Sequence, residues 1–230
     1  DSNFDFLAAS ETVTATYTVR TTDTYGASVD KDVVVMITGT NDTPVIAVNS
    51  GDSNTASLVE TNSNLTTSGK LSLTDPDISN TVTTVVDSLT VTGTYAGASG
   101  LNNTTYKGYL SLTGNNANAS DPGSVSNLIW SFNSNGQAFD YLSKDETLIL
   151  TYTLNATDSS SPSALTMQTV TITITGTNDA PIINSATAIL PAILEDTTNP
   201  SGQTVISLFG GNLADIDGHQ AGSASSDTLN

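Results

Sequence analysis

The sequence predicts an all-β fold made of antiparallel sandwich modules in tandem, and three observations carry that prediction. Apolar and polar residues alternate at Val13, Ala15, Tyr17, Val19 and again at Leu148, Leu150, Tyr152, Leu154, the period of a half-buried strand. No stretch sustains a 3.6-residue apolar period, and the polar residues are Thr, Ser and Asn, of which β-branched Thr suits a pleated surface. Finally, the phrase Gly39-Thr40-Asn41-Asp42-Thr43-Pro44-Val45-Ile46 returns as Gly176-Thr177-Asn178-Asp179-Ala180-Pro181-Ile182-Ile183, each copy closing a β-type run, at 33–38 and 169–174. A strand that ends in Asn-Asp and a stiff Pro before a new apolar run reads as a junction between repeated units.

The repetition extends well beyond that phrase. Phe4-Asp5-Phe6-Leu7 matches Phe139-Asp140-Tyr141-Leu142, Glu11-Thr12 matches Glu146-Thr147, and Asp23 matches Asp158. The offset is about 135 residues here and slips to about 137 at the junction, which places a short insertion in the loop between. Unit beginnings repeat as well: Leu58-Val59-Glu60 resembles Ile193-Leu194-Glu195, and the Asp75/Asp77 step resembles Asp215/Asp217. Residues 1–46 therefore read as the end of one module, 47–183 as a complete module and 184–230 as the start of a third. The complete module reads as short strands, among them 82–86, 88–92, 109–112 and 128–132, in an antiparallel sandwich of the immunoglobulin-like kind. Trp130, Phe132, Phe139, Tyr141 and Tyr152 are its expected core, and 93–126 reads as an elaborated hairpin with loops.

Composition excludes several functions. Asp+Glu number 23 against 5 Lys+Arg, a net charge of −18, so phosphate backbones and anionic membrane surfaces are poor partners. There is no Cys, hence no disulfide or thiolate metal site. No apolar run reaches the length of a membrane span. The chain reads as a window on a longer protein, and the rival reading is that copies stacked end to end complete each other's sandwiches.

The acidic residues are placed by the repeat. All four glutamates fall into equivalent pairs, Glu11 with Glu146 and Glu60 with Glu195. Asp5/Asp140, Asn41-Asp42/Asn178-Asp179 and the two Asp-x-Asp steps repeat alongside them. Such hard oxygen donors without nearby His or Cys are ligands for Ca²⁺. Carboxylates gathered this closely repel by roughly 1–4 kcal/mol per pair, and a divalent cation reverses that sign. The competing reading, ordinary turn chemistry, is kept for Asp52, Asp87 and Asp121.

Taken together, Gly-x-Leu-x-Leu-Thr-Asp-x-Asp, Phe-Asp-Tyr-Leu with Glu-Thr-Leu and Tyr-Thr-Leu, and Thr-Ile-Thr-Gly-Thr-Asn-Asp-Ala-Pro resemble the VCBS, or bacterial cadherin-like, repeats of giant secreted RTX-type adhesins. The resemblance covers essentially the whole chain. It implies an elongated rod of cadherin-like modules with Ca²⁺ between successive ones. Asp5, Glu11, Asn41, Asp42, Asp75 and Asp77 would serve the first joint. Glu60, Asp140, Glu146, Asn178, Asp179, Asp215 and Asp217 would serve the second, and Glu195 a joint beyond this chain. Two departures stand out: Gly39 and Gly176 occupy the place of a further linker Asp in cadherins, and Asp140 and Glu146 are more widely spaced than the cadherin pair.

No catalytic constellation accompanies these motifs. The lone His219 sits in a Gly-rich turn, no Gly-x-Ser-x-Gly elbow occurs, and paired carboxylates repeated at every joint do not make one glycosidase site. Asp215-Ile216-Asp217-Gly218 lacks the later glutamate of an EF-hand loop. The expectation is a non-catalytic, calcium-rigidified extender of a bacterial cell-surface adhesin or extracellular filament, serving cell adhesion or biofilm. Its partners would be adjacent modules of the same or a neighbouring chain. The alternative is a polysaccharide-binding module that stacks sugars on Tyr95, Tyr106 and Tyr109.

Overall fold

The computed structural model describes residues 4–95, 103–114, 116–118, 127–160, 162–184, 187–190, 192–209 and 213–217. Two antiparallel strands open it, β1 (Thr12–Thr22) and β2 (Ser28–Thr38), forming a sheet of their own. There follow β3 (Val45–Ala47), β4 (Thr55–Val59), β5 (Thr66–Thr74), β6 (Thr81–Gly93), the single helical turn α1 (Asn103–Lys107), β7 (Leu110–Thr113) and β8 (Asn116–Asn118). Next come β9 (Leu128–Asn133), β10 (Thr147–Asp158), β11 (Leu165–Thr175), β12 (Ile182–Ile183), a second short helix α2 (Val205–Phe209) and β13 (Leu213–Ala214). The all-β architecture expected from the sequence is present: β4-β11-β10-β6-β8 make one sheet and β3-β5-β9-β7 another.

Strict alternation builds the core between these sheets. In β10, Leu148, Leu150, Tyr152, Leu154 and Ala156 are fully buried while the intervening residues are half-exposed, and β11 adds Val170, Ile172 and Ile174. From the facing sheet come Leu71, Leu73, Leu128, Trp130 and Phe132. Trp130 passes under Gly69, where any Cβ would collide with the indole, and its Nε1–H donates to the Ser53 carbonyl at 2.7 Å. Tyr152 donates its hydroxyl to the Tyr106 carbonyl at 2.8 Å, so its polar end is satisfied inside the core.

Several expectations need adjustment. The pairing of β4 with β11 is parallel, so the sandwich is not antiparallel throughout. The strands expected at 82–86 and 88–92 are one, β6. Against β10, Ser88 faces Thr153 and Val86 faces Leu154, which leaves Asp87 as a bulge rather than a break. Tyr106 and Tyr109 are buried against their own sheet, and Tyr141 is only half-buried, its hydroxyl 3.1 Å from that of Tyr106. The insertion expected between repeats is seen: the hairpin loop runs over 23–27 after β1 and over 158–164 after β10. Asp121 and His219 lie outside the described residues, and no described helix is long and apolar enough to cross a membrane.

β1 and β2 reproduce the register of β10 and β11, Thr12 opposite Thr38 as Thr147 is opposite Thr175. Yet the half-burial expected of their alternating face is not met. Tyr17 is 60% and Val19 50% exposed, because no second sheet lies under this hairpin among the described residues.

Replacing Gly69 by Ala is expected to force the Trp130 ring to move and to cost about 1–3 kcal/mol. Urea unfolding of the two proteins checks this, and an unchanged midpoint would contradict the packing described.

Candidate cation sites at the two linkers

Each linker begins with a backbone crossing that permits only glycine. Gly39 N–H donates to the Glu11 carbonyl at 2.8 Å, and Gly176 N–H donates to that of Glu146 at 2.8 Å. A Cβ on Gly39 would collide with the carbonyl oxygens of Leu7 and Ala8, and one on Gly176 with those of Leu142 and Ser143. Opposite stand two left-handed residues, Ser10 (φ 69°) and Asp145 (φ 66°), which reverse the chain so that the following glutamate folds back. Glu11 Oε2 then accepts the Ala8 N–H at 3.0 Å, as Glu146 Oε2 accepts the Ser143 N–H at 3.0 Å. This explains the sequence departure at Gly39 and Gly176: no carboxylate-bearing residue fits there.

Beyond the glycine, the linker aspartate meets the Asp-x-Asp step. Asp42 N–H donates to Asp77 Oδ2 at 2.9 Å, and Asp179 N–H donates to Asp217 Oδ2 at 2.7 Å. Within each step the second residue donates to the first, Asp77 to Asp75 at 3.0 Å and Asp217 to Asp215 at 3.3 Å. The two linkers thus share one geometry.

Each linker is also closed differently. At the first, Asn41 Nδ2 donates to Asp158 Oδ2 at 2.9 Å, and Asn80 Nδ2 approaches Asn41 Oδ1 at 3.3 Å and Asp77 Oδ2 at 3.2 Å. Asp75 and Asp77 are fully buried, and Asp75 Oδ2 and Asp77 Oδ1 find no hydrogen-bond donor among the described residues. At the second linker, one carboxylate oxygen from each of Glu60, Asp140 and Asp179 lies within 4.8 Å of the others. Glu60 is only 1% exposed; its Oε1 accepts the Thr177 N–H at 2.8 Å and the Thr177 hydroxyl, while Oε2 has no donor among the described residues. Asp140 Oδ1 and Asp179 Oδ2 are likewise buried without a donor among the described residues.

Buried carboxylate oxygens without donors are costly unless paired with a positive charge, and among the described residues no Lys or Arg forms an ion pair with them. The titration behaviour agrees. Burial raises the Asp75 carboxyl to about 6, and the charges of Asp77, Asp158 and Asp42 add to the rise. Asp77 is raised by burial and by Asp42, Asp158 and Glu11, and Asp140 by burial and by Asp179 and Glu60.

Of the sequence-predicted ligands, Asn41, Asp42, Asp75 and Asp77 are joined by hydrogen bonds at the first linker, with Glu11 close enough for its charge to act on Asp77. Asp5 is exposed and shares an open depression with Thr40 and Asp42. At the second linker Glu60, Asp140 and Asp179 converge, and Asp215 and Asp217 reach them through Asp179. Glu146 is turned to its own backbone, and Asn178 is exposed with its amide on the Asp179 carbonyl. Sequence reasoning missed Asp158 and Asn80. The Asp23/Asp158 match was a usable signal: both cap a hairpin loop, Asp23 Oδ1 accepting the N–H of Tyr25 and Ala27, and Asp158 Oδ1 those of Ser160 and Ala164. Asp158 Oδ2 serves both, accepting the Ala164 N–H at 3.1 Å and the Asn41 side-chain amide at 2.9 Å. Asp52 keeps the turn role expected of it, accepting from Asn49 and Ser72.

No family model matches this chain, and no curated protein matches it closely. Solved structures to which it is similar include the protocadherin gammaB4 extracellular domain (15% identity, TM-score 0.39, 80% of this chain and 24% of that chain). Two others are protocadherin gamma B2 extracellular cadherin domains 3-6 (17%, 0.35, 74% and 34%) and the protocadherin gammaB7 EC3-6 cis-dimer (13%, 0.37, 80% and 36%). The chain spans about a quarter to a third of the length of those chains.

The raised Asp75 carboxyl has a signed consequence. Between the ordinary value of 3.8 and about 6 the folded protein holds a proton that the unfolded chain releases, so this stabilisation is present at low pH and lost as pH rises through about 6. In EDTA, the thermal midpoint of the native protein relative to Asp75→Asn should fall as pH rises from about 4 to 6 and level off above that. A difference that does not change with pH would show that Asp75 is ionised throughout.

Proposed function

We propose that the chain is a non-catalytic segment of a cadherin-like extracellular protein whose linkers between β-modules are stiffened by Ca²⁺. The observation that carries this reading is the convergence of Glu60, Asp140 and Asp179, each with a buried oxygen that no donor among the described residues satisfies, at a linker whose geometry the other linker repeats. Six to eight oxygen donors in a flexible arrangement suit Ca²⁺, and the chain has no Cys to favour a softer metal. Glu60, Asp140, Asp179 and Asp217 would hold the ion at the second linker. Asn41, Asp42, Asp75, Asp77 and Asp158 would hold it at the first. The metal supplies the positive charge that lets these carboxylates stay ionised while buried.

The consequence is mechanical. Residues 1–46, 47–183 and 184–230 are the proposed modules, and an ion bound from both sides of a linker removes its freedom to bend. The VCBS-like sequence pattern supports placement in a bacterial surface adhesin or extracellular filament acting in adhesion or biofilm. Polysaccharide binding through 93–126 is not carried forward, since Tyr106 and Tyr109 are buried against their own sheet.

Extracellular sites of this type bind at about 10⁻⁴–10⁻³ M, so ~10 mM calcium stabilises by about 1.4–2.7 kcal/mol per ion. Chelation should therefore lower the thermal midpoint and loosen the particle seen by solution scattering. An EDTA-treated sample indistinguishable in both would sink the proposal. Glu60→Gln should weaken calcium binding at the second linker about tenfold or more, read by calcium titration calorimetry.

A further inference from the structure

Both linkers rest on the same turn, and the residue that opens the turn differs between them by one oxygen atom. At the second linker the Ser143 N–H donates to Glu146 Oε2 at 3.0 Å, and the Ser143 carbonyl accepts the Glu146 N–H at 2.9 Å. At the first, Ala8 makes the same two bonds with Glu11, each at 3.0 Å. Both residues are buried, and Gly176 and Gly39 pass against their carbonyl oxygens in the same way. Ser143 adds a hydroxyl, which donates to the Asp217 carbonyl at 2.8 Å. Asp217 is thereby held at two points, its Oδ2 by the Asp179 N–H at 2.7 Å and its carbonyl by Ser143. With Asp217 only 1% exposed, water competes little for either bond. At the first linker the equivalent carbonyl, that of Asp77, accepts the Asn80 N–H at 3.0 Å within its own turn.

We propose that Ser143 is a positioning residue for the cation site of the second linker. Its hydroxyl orients Asp217 in the ion-free protein, so that more molecules have the carboxylates gathered before calcium arrives. Repulsion among Glu60, Asp140 and Asp179 opposes that gathering, and the Ser143 bond offsets part of it without adding charge. One buried hydrogen bond shifts such an equilibrium about two- to tenfold. Apparent affinity scales with the fraction of linkers already competent to bind, so it rises by a similar factor. Ala8 leaves the first linker without this aid. The effect on affinity rests on the calcium reading above; the ordering of the ion-free linker does not.

The backbone amides of Asp42 and Asp179 report the two linkers separately, since each is bonded to its own Asp-x-Asp step. Their hydrogen exchange is measured in EDTA by NMR, and their signals are then followed through a calcium titration. Ser143→Ala should speed exchange at Asp179 about two- to tenfold and raise the calcium midpoint there by a similar factor. Asp42 and the core amides of Leu150 and Ile172 should stay as in the native protein. Ala8→Ser should slow exchange at Asp42 in EDTA by a comparable factor. Unchanged Asp179 exchange in Ser143→Ala overturns the proposal, and so does faster exchange that extends to Leu150 and Ile172, the sign of a general loss of stability. Faster exchange with an unmoved calcium midpoint overturns it too. An Ala8→Ser chain with native exchange at Asp42 overturns the assignment of the difference between the linkers to this position. Native signals of Asp42 and Asp179 that do not move up to about 10 mM calcium would sink the calcium reading alone, because exchange in EDTA decides the ordering without any ion.

Discussion

The N–H of the linker aspartate donates to the Asp-x-Asp step beyond it, from Asp42 to Asp77 at 2.9 Å and from Asp179 to Asp217 at 2.7 Å, and this bond brings like charges together. A backbone donor satisfies one oxygen of the acceptor but carries only a partial charge. The linker residue's own carboxylate arrives with it. Every added acid then raises the cost of ionising its neighbours, as the shared influence of Asp42 and Asp158 on Asp75 and Asp77 records. Most of the polar chemistry of the chain follows from that crowding.

Crowding of this kind requires a rigid frame, and the frame is backbone rather than side chain. Gly39 and Gly176 pass so close to the preceding turn that a side chain is excluded, and the left-handed Ser10 and Asp145 aim Glu11 and Glu146 back at that turn. A carboxylate at the glycine positions would have to be accommodated by opening the crossing, which would release the strand pair that ends there. The linkers are therefore acidic only where the backbone leaves room.

Much of this was legible in the sequence. Alternation at 148–154 marks the buried face of β10, and the duplicated phrase marks two segments that share one backbone geometry, Asp42 N–H on Asp77 and Asp179 N–H on Asp217. What was not legible depended on register and on distant contacts. The parallel pairing of β4 with β11 brings Glu60 to Thr177 across 117 positions of chain, and no local pattern encodes a partner so far away. Asp87 looked like a strand break and is a bulge, since β10 holds β6 on both sides of it. Asp158 reads as a turn residue because both its oxygens accept from the hairpin loop; only the fold shows that Oδ2 also accepts from Asn41. The exposed hairpin of β1 and β2 makes the same point from the opposite side. Its alternation equals that of β10 and β11, but alternation specifies which face can be buried, and burial itself needs a second sheet.

The two linkers differ in which half of the surroundings they display, and the difference bears on stiffness. The first has the downstream closure, Asp158 and Asn80 bonded to Asn41 and Asp77; the second has the upstream closure, with carboxylate oxygens of Glu60 and Asp140 within 4.8 Å of that of Asp179. The direct bonds described across the first linker are Ile78 N–H to the Phe6 carbonyl at 3.3 Å, Asp42 to Asp77 at 2.9 Å, and the Asn41 side chain with Asp158 and Asn80. Such contacts are each worth about 0.5–1.5 kcal/mol net, too little to hold carboxylates together against their own repulsion. A cation coordinated from both closures would outweigh every direct contact at the joint. Rigidity would then be a property of the ion-bound linker and not of the modules it connects.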